Sequence, residues 1–115
     1  MVEVLNDLLG YDGLKIIQRP DMFNFSLDST LLADFANPLT KTKKILDLGT
    51  GNAPIPLFLS LKTKANIVGV EIQKEVFDIA KRTVELNKLE DRIEILNDDI
   101  KGLSSKFENS EFDLV

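Results

Sequence analysis

The segment at residues 44–61 constrains the fold of this chain more than any other part of the sequence. An apolar run stops at Gly49 and Gly51, and Pro54 and Pro56 precede a second apolar run. This order predicts a strand, a tight glycine turn and a helix, the first βα unit of an open parallel sheet. Either proline suits the first helical turn, where a missing N–H costs nothing. We expect the turn to present free N–H groups and a helix N-terminus at the carboxyl end of a central strand, where such sheets bind ligands.

The residues after this unit continue the alternation of strands and helices. The pattern predicts strands at residues 66–71, 92–96 and 112–115, and helices at residues 73–88 and 101–107. Strands that alternate with helices indicate an α/β fold, with a parallel sheet and right-handed crossovers. Residues 44–115 are therefore interpreted as an α/β domain that contains the first four strands of a parallel sheet and the helices that flank them.

Residues 1–43 are interpreted as a lead-in to that domain. Apolar residues in 4–9 have helical spacing and end at a glycine, which predicts a short helix. Residues 14–18 predict a strand, and 23–25 alternate apolar and polar residues like a return strand. A hairpin of these two strands is the economical arrangement, and a helix carrying 31–35 follows it.

Pro54 and Asp47 distinguish two possible nucleotide sites, whereas Glu71 fits both of them. Pro54 stands where a dinucleotide fingerprint has its third glycine, and Asp47 precedes Gly49 by two residues. A carboxylate there would repel a pyrophosphate, but it could receive the ammonium of an amino-acid tail. Glu71 ends the second strand, 20 residues after Gly51, and neighbouring parallel strands bring it beside the turn. It could accept bonds from both ribose hydroxyls, in NAD as well as in an adenosine derivative.

The pattern Asp47-x-Gly49-x-Gly51 resembles motif I of the class I S-adenosylmethionine (SAM) methyltransferases, with Ala53 as the small residue that often follows it. Residues 23–33 resemble the segment that precedes motif I in the "methyltransferase small domain" group. Together with residues 10–18, the chain is similar to the bacterial valine-tRNA adenine-N6-methyltransferases. The resemblance implies a Rossmann-like fold and SAM as cofactor.

The resemblance also implies cofactor-binding residues. These are Asp47, Gly49, Thr50, Gly51, Asn52, Glu71, Ile72, Asp98, Asp99, Ile100, Phe25, Ser26 and Asp28. Asp99 matches the acid that accepts a bond from the adenine amino group, with Ile100 supplying an amide and apolar cover. Asp98 could take that place instead, or either acid could cap the next helix. For Phe25, Ser26 and Asp28 a core aromatic residue and a helix cap are the alternatives.

Relatives of this kind carry Asn-Pro-Pro-aromatic just after the fourth strand, and this chain ends at Val115, where that motif should begin. We therefore expect no catalytic residue within these residues and a longer parent protein. The expected function is transfer of a methyl group to adenine N6 of tRNA. The alternatives are a glutamine-N5 protein or guanine-N2 RNA methyltransferase, a non-catalytic SAM-binding module, and an NAD-binding domain.

Composition excludes several other classes. The 115 residues include no Cys and no His, so thiolate and imidazole metal ligands and disulfides are absent. Apolar runs are far shorter than the ~20 residues of a membrane span, and a cytoplasmic protein is the default expectation. With a net charge of −5, the chain as a whole predicts no polyanion-binding surface. Five lysines are expected at the amino-terminal edge of the sheet, opposite the cofactor: Lys41, Lys43, Lys44, Lys62 and Lys64. Lys15 and Arg19 on the hairpin are better placed but supply only two charges, so tRNA as a partner rests on the resemblance.

Overall fold

The fold is described by a computed structural model that defines residues 3–7, 13–19, 42–105 and 112–115. Within these ranges the backbone forms five strands, two α-helices and a 3₁₀ helix. The strands are β1 (Val4–Asp7), β2 (Lys15–Gln18), β3 (Lys44–Leu48), β4 (Asn66–Glu71) and β5 (Ile93–Asn97). The helices are α1 (Pro54–Ser60), α2 (Lys74–Leu86) and the 3₁₀ helix Ile100–Ser105.

The strands β3, β4 and β5 pair in that order as a parallel sheet. Ile45, Ile67 and Ile93 lie opposite one another across the three strands. Each crossover contains one helix, α1 between the first pair and α2 between the second, as the alternating pattern predicts. The carboxyl ends of all three strands therefore lie at one edge of the sheet, where the candidate site residues follow them.

The last four residues run parallel to β3, on the side away from β4. The Leu46 N–H donates to the Leu114 carbonyl at 2.9 Å, within a single β-bridge. The Asp113 carboxylate accepts the backbone N–H groups of Lys43 and Lys44 at 2.8 and 3.0 Å. These two hydrogen bonds hold the pKa of Asp113 below its usual value. The segment takes the place that the sequence predicts for a fourth strand, but it is paired through one bridge.

The core lies between the sheet and the two helices. Successive side chains of each strand point to opposite faces of the sheet, and one of these faces meets α1 and α2. The buried cluster on this face consists of Ile16, Ile45, Ala53, Leu57, Phe58, Leu59, Ala65, Ile67, Ala80, Val84, Ile93 and Ile95. On the other face, Leu46 and Val70 pack with the partly buried Val68 and Phe112. Burial of apolar area on both faces favours the parallel arrangement.

The amino-terminal residues correct one prediction. Residues 4–7 form β1 rather than part of a helix, and β1 pairs antiparallel with β2, with Val4 opposite Gln18. The helix prediction is wrong because it requires the apolar residues of this segment to share one buried face, whereas Leu5 is 55% exposed. Pairing with β2 instead satisfies the backbone N–H and C=O groups. The hairpin thus joins β1 and β2, while the predicted return strand at 23–25 lies outside the described residues.

The other elements differ from the predictions mainly at their ends. The strand at 66–71 has its predicted bounds. The helix predicted at 73–88 is α2, Lys74–Leu86, and the helix predicted at 101–107 is the 3₁₀ helix Ile100–Ser105. The helix predicted around 31–35 lies outside the described residues. Among the helices that the structure describes, none combines the length and apolarity needed to cross a membrane.

Candidate functional site

The turn between β3 and α1 is built from left-handed residues. Gly49, Gly51 and Ala53 have φ angles of 67°, 61° and 72°. Glycine adopts these angles at little cost, whereas an alanine there is strained by about 1 kcal/mol. The Thr50 N–H donates to the Val70 carbonyl at 2.9 Å, and the Ala53 N–H donates to the Thr50 carbonyl at 3.0 Å. The chain thus leaves β3, bends back against β4 and enters α1 at Pro54.

Glu71 holds the same turn from the end of β4. Its Oε1 accepts the Gly51 N–H at 3.0 Å, and its Oε2 accepts the Gln73 N–H at 3.0 Å. The side chain is buried, so both bonds are protected from water. The prediction of free N–H groups in this turn is therefore wrong for Thr50, Gly51 and Ala53, because the N–H group of each is hydrogen-bonded. Each carboxylate oxygen keeps a second lone pair for another donor.

Asp47 lies beneath the turn and is hydrogen-bonded to Thr50. The Thr50 hydroxyl donates to Asp47 Oδ2 at 2.7 Å. Burial raises the pKa of Asp47 to about 6, and the Thr50 hydrogen bond opposes part of that rise. A Cβ on Gly69 would lie 2.8 Å from Thr50 Oγ1 and 3.0 Å from Ile95 Cδ1. Glycine at this point of β4 therefore makes room for the threonine that contacts the carboxyl group.

The acidic residues after β5 begin the 3₁₀ helix. Asp98 Oδ1 accepts the Asp99 N–H at 2.8 Å, and Asp99 Oδ1 accepts the Lys101 N–H at 3.0 Å. Asp99 therefore makes the capping bond that was one alternative for this position. Because Asp99 is exposed and the bond uses one lone pair of Oδ1, the carboxylate can still accept a hydrogen bond from a ligand.

A groove of about 90 Å³ lies between the ends of β3, β4 and β5. It is lined by Gly49, Val70, Glu71, Ile72, Asp98, Asp99 and Ile100. The flanking isoleucines are exposed, Ile72 at 62% and Ile100 at 54%. Three of the seven described lining residues are acidic and none is basic. The groove thus offers carboxylate acceptors beside exposed apolar surface, an arrangement that suits a ligand with hydroxyl and amino donors on a flat ring.

Among the described residues, four of the predicted site residues do not line this groove, namely Asp47, Thr50, Gly51 and Asn52. Asp47 lines a separate depression beside Leu114, and Thr50 and Asn52 are both 3% exposed. Thr50 faces Asp47, while the Asn52 Nδ2 donates to the Ile17 carbonyl at 2.9 Å. These side chains therefore contact other parts of the protein rather than the groove.

Asn97 is a residue of this region that the sequence reasoning missed. Its Nδ2 donates to the carbonyls of Glu71 and Ile72, both at 3.0 Å. The bonds join the end of β5 to the segment that carries the candidate ribose acceptor. A polar residue at the last position of a strand otherwise rich in apolar residues is the signal that could have identified it, since Asn97 lies opposite Glu71 in the register.

The remaining site predictions divide between described and undescribed residues. Phe25, Ser26 and Asp28 lie outside the described residues. Within the described ranges, no group of three or more His, Cys, Asp or Glu residues is placed to hold a metal ion.

Lys43 and Lys64 line a depression at the amino ends of β3 and β4, on the edge of the sheet opposite the glycine turn. This is the location that the sequence predicts for them.

Comparison with known proteins gives matches of three kinds. A family model described as a methyltransferase domain matches residues 39–115. The tRNA1(Val) (adenine(37)-N6)-methyltransferase of Glaesserella parasuis serovar 5 is 33% identical over 89 residues, and the Shewanella halifaxensis enzyme of the same name is 27% identical over 88. A solved Pyrococcus abyssi tRNA (uracil-54, C5)-methyltransferase, in complex with S-adenosyl-L-homocysteine, matches with a TM-score of 0.68 and 21% identity.

The matches differ in how much of each protein they cover. Both curated relatives are matched over 76% of this chain but over only 36% and 35% of their own lengths. The solved structure is matched over 97% of this chain and 27% of its own. The chain thus spans about a third of the length of the curated relatives it matches.

Proposed function

This chain belongs to the methyltransferase domain family, and on that premise we propose that it binds S-adenosylmethionine beside the glycine turn. We further propose that the protein transfers the methyl group to adenine N6 of tRNA. The first proposal is supported by the site geometry and by family membership. The second is supported by the curated relatives, whose names specify that reaction.

The charge around the turn is the observation that carries the cofactor proposal. Glu71, Asp98 and Asp99 line the groove without a basic residue among the described lining, and Asp47 lies beneath the turn. Such a setting disfavours a pyrophosphate, because its negative charges would face carboxylates. It suits a ligand with a cationic tail, ribose hydroxyls and an adenine amino group. The donors and acceptors present thus fit SAM better than NAD.

Each residue has a proposed task that follows from its position. Bound SAM supplies an electrophilic methyl group on a sulfonium centre. Asp47 would receive the ammonium of the methionine end, and the backbone at Gly49 allows that end to lie close to the chain. Glu71, already oriented by two backbone N–H groups, would accept the ribose hydroxyls. Asp99 would accept the adenine amino group beside Ile100.

Titration calorimetry with SAM and with NAD tests the cofactor proposal. We expect SAM binding in the purified chain, and Glu71→Ala should weaken it by about 1–3 kcal/mol through loss of charge-assisted bonds. Glu94→Ala is the matched control, because Glu94 is an exposed carboxylate on β5 outside the groove. Binding of NAD with no binding of SAM would overturn the proposal.

The acceptor is tested with the protein as the cell produces it. Labelled SAM is supplied with unmodified tRNA in one reaction and with a protein extract in another, and the digested products are identified by mass spectrometry. N6-methyladenosine in the tRNA is the expected product. Label in guanine N2 or in protein glutamine would replace the proposed acceptor but leave the cofactor assignment intact.

A further inference from the structure

The hairpin strand β2 is held at its outer edge by side chains. One edge of β2 pairs with β1, and the other presents the N–H and C=O groups of Lys15 and Ile17. Asn87 accepts the Lys15 N–H at 2.8 Å and donates to the Lys15 carbonyl at 2.6 Å. Thr83 Oγ1 accepts the Ile17 N–H at 3.2 Å. The fourth group, the Ile17 carbonyl, accepts from Asn52 at 2.9 Å.

Asn52 differs from the other two side chains in its position. Thr83 and Asn87 belong to the carboxyl-terminal end of α2, whereas Asn52 lies within the turn, between the left-handed Gly51 and Ala53. It is 3% exposed, and its Oδ1 has no partner among the described residues. The amide is therefore held through its donor, and that donor joins the turn to the hairpin.

The strained turn depends on contacts outside itself. The Thr50 N–H and the Gly51 N–H bond to β4, at the Val70 carbonyl and at Glu71. The hydrogen bond from Asn52 to the Ile17 carbonyl joins the turn to the hairpin. A left-handed alanine persists where its surroundings hold it in place. A bond from each side would restrict the turn more than bonds to β4 alone.

We infer that the β1–β2 hairpin positions the cofactor turn and that Asn52 is the positioning residue through which it acts. This inference rests on the proposed binding of SAM. Docking of the hairpin and binding at the turn are then coupled, so each favours the other by the same factor. Ion pairs between the hairpin and α2, such as Glu3 with Arg82, are exposed. They therefore contribute less to the docking of the hairpin than the hydrogen bonds at the edge of β2.

The test measures SAM affinity and backbone hydrogen exchange in the purified chain. In the unaltered chain, SAM should slow exchange in the peptide covering residues 13–19, which lies outside the proposed binding groove. Asn52→Ala should raise the SAM dissociation constant by at least about fivefold and abolish that slowing. Asn66→Ala is the matched control, because Asn66 is exposed at the opposite edge of the sheet. Thermal unfolding establishes that each variant is folded at the temperature of measurement.

A second variant keeps the test independent of any damage at the turn itself. Thr83→Val removes the acceptor of the Ile17 N–H from α2 without touching the turn. It should speed exchange in residues 49–53 even without SAM, and it should weaken SAM binding. Combined with Asn52→Ala, it should add less than its separate effect, because both changes release the same hairpin.

The outcomes separate the two proposals. Unchanged SAM affinity in Asn52→Ala, or fully additive effects of the two variants, would overturn the role of the hairpin. If the unaltered chain does not bind SAM, the cofactor proposal fails. Faster exchange of the turn in Thr83→Val would then still support the link between hairpin and turn.

Discussion

The parallel sheet and the amino-terminal hairpin are held together by different kinds of contact. In β3–β5 each strand bonds to its neighbour through a regular backbone ladder, and buried isoleucines stack across the three strands. In the hairpin, the edge of β2 facing the domain bonds to three side chains, those of Asn52, Thr83 and Asn87. The sheet therefore depends on many apolar contacts, whereas the hairpin is attached through one side chain buried in the core, Ile16, and through a few polar side chains at the edge of β2.

This difference predicts how far the destabilising effect of a substitution extends through the fold. Loss of a side chain from the sheet core removes apolar contacts on several elements at once, so it weakens the whole fold. Loss of one amide at the hairpin edge leaves specific backbone groups unpaired, so it releases a local unit. The following changes test that contrast, from the largest expected effect to the smallest.

Ile67→Ala tests the sheet core. Ile67 is 1% exposed and lies between Ile45 and Ile93, so its truncation should lower the free energy of unfolding by about 2–5 kcal/mol. Leu61→Ala, at a residue that is 50% exposed, serves as the control and should change it by less than about 0.5 kcal/mol. Chemical denaturation measures both. Equal effects of the two variants would refute the core assignment.

Asn87→Ala tests the hairpin edge. It removes both hydrogen bonds to Lys15 and should cost about 1–3 kcal/mol, because two partly buried backbone groups lose their partner. Exchange should rise in residues 13–19 and stay unchanged in β4. Glu85→Ala, an exposed change on the same helix, is the control. Faster exchange throughout the sheet would show that hairpin and sheet unfold together.

Asp47→Asn tests the site end of the sheet. Because burial raises the pKa of Asp47 above its unfolded value of 3.8 to about 6, the folded state binds this proton more tightly. The stability from this group is fully present below pH 4 and is lost as the pH rises to 6. We therefore expect the asparagine variant to gain on the order of 1–3 kcal/mol over the unaltered chain at pH 8, and little at pH 4.

Unfolding measured at pH 4, 6 and 8 decides this prediction, and the difference between the two proteins cancels the titration of other groups. A difference that does not grow with pH would contradict it. The proposed function supplies the reason for the cost: an ionised Asp47 would receive the cationic tail of SAM. Asp47→Asn should therefore weaken SAM binding at pH 8 while it stabilises the free chain.

Asp113→Asn tests the last four residues, whose attachment combines one backbone bridge with one side chain. Asp113 is exposed and its pKa is lowered by the N–H groups of Lys43 and Lys44. The stability that this carboxylate adds to the folded state is therefore present at neutral pH, and it is lost as the pH falls through the lowered pKa of Asp113. The variant should slightly increase exchange in β3 at pH 7, and its effect should shrink as the pH falls and the carboxylate of the unaltered chain is protonated. An effect that does not change with pH would exclude the carboxylate as the cause.

Patterns within short segments predicted much of the parallel domain. The strand at 66–71 has its predicted bounds, and Pro54 begins α1 after a turn with glycines at φ 67° and 61°. The location of Glu71 beside Gly51 also followed from the sequence, because the carboxyl ends of neighbouring parallel strands share an edge. The roles of these residues in binding SAM remain predictions for the experiments above.

Within residues 44–105, the sequence by itself determined the order of strands and helices and the edge at which the acidic residues gather, because those depend on local apolar periodicity and on topology. The tertiary structure alone decided that residues 4–7 pair with β2, and that the side chain of Asn52 bonds to Ile17. An amide or a backbone group bonds equally well to any suitable partner within about 3 Å. Which partner lies there depends on segments distant in sequence, and only the packed fold brings them together.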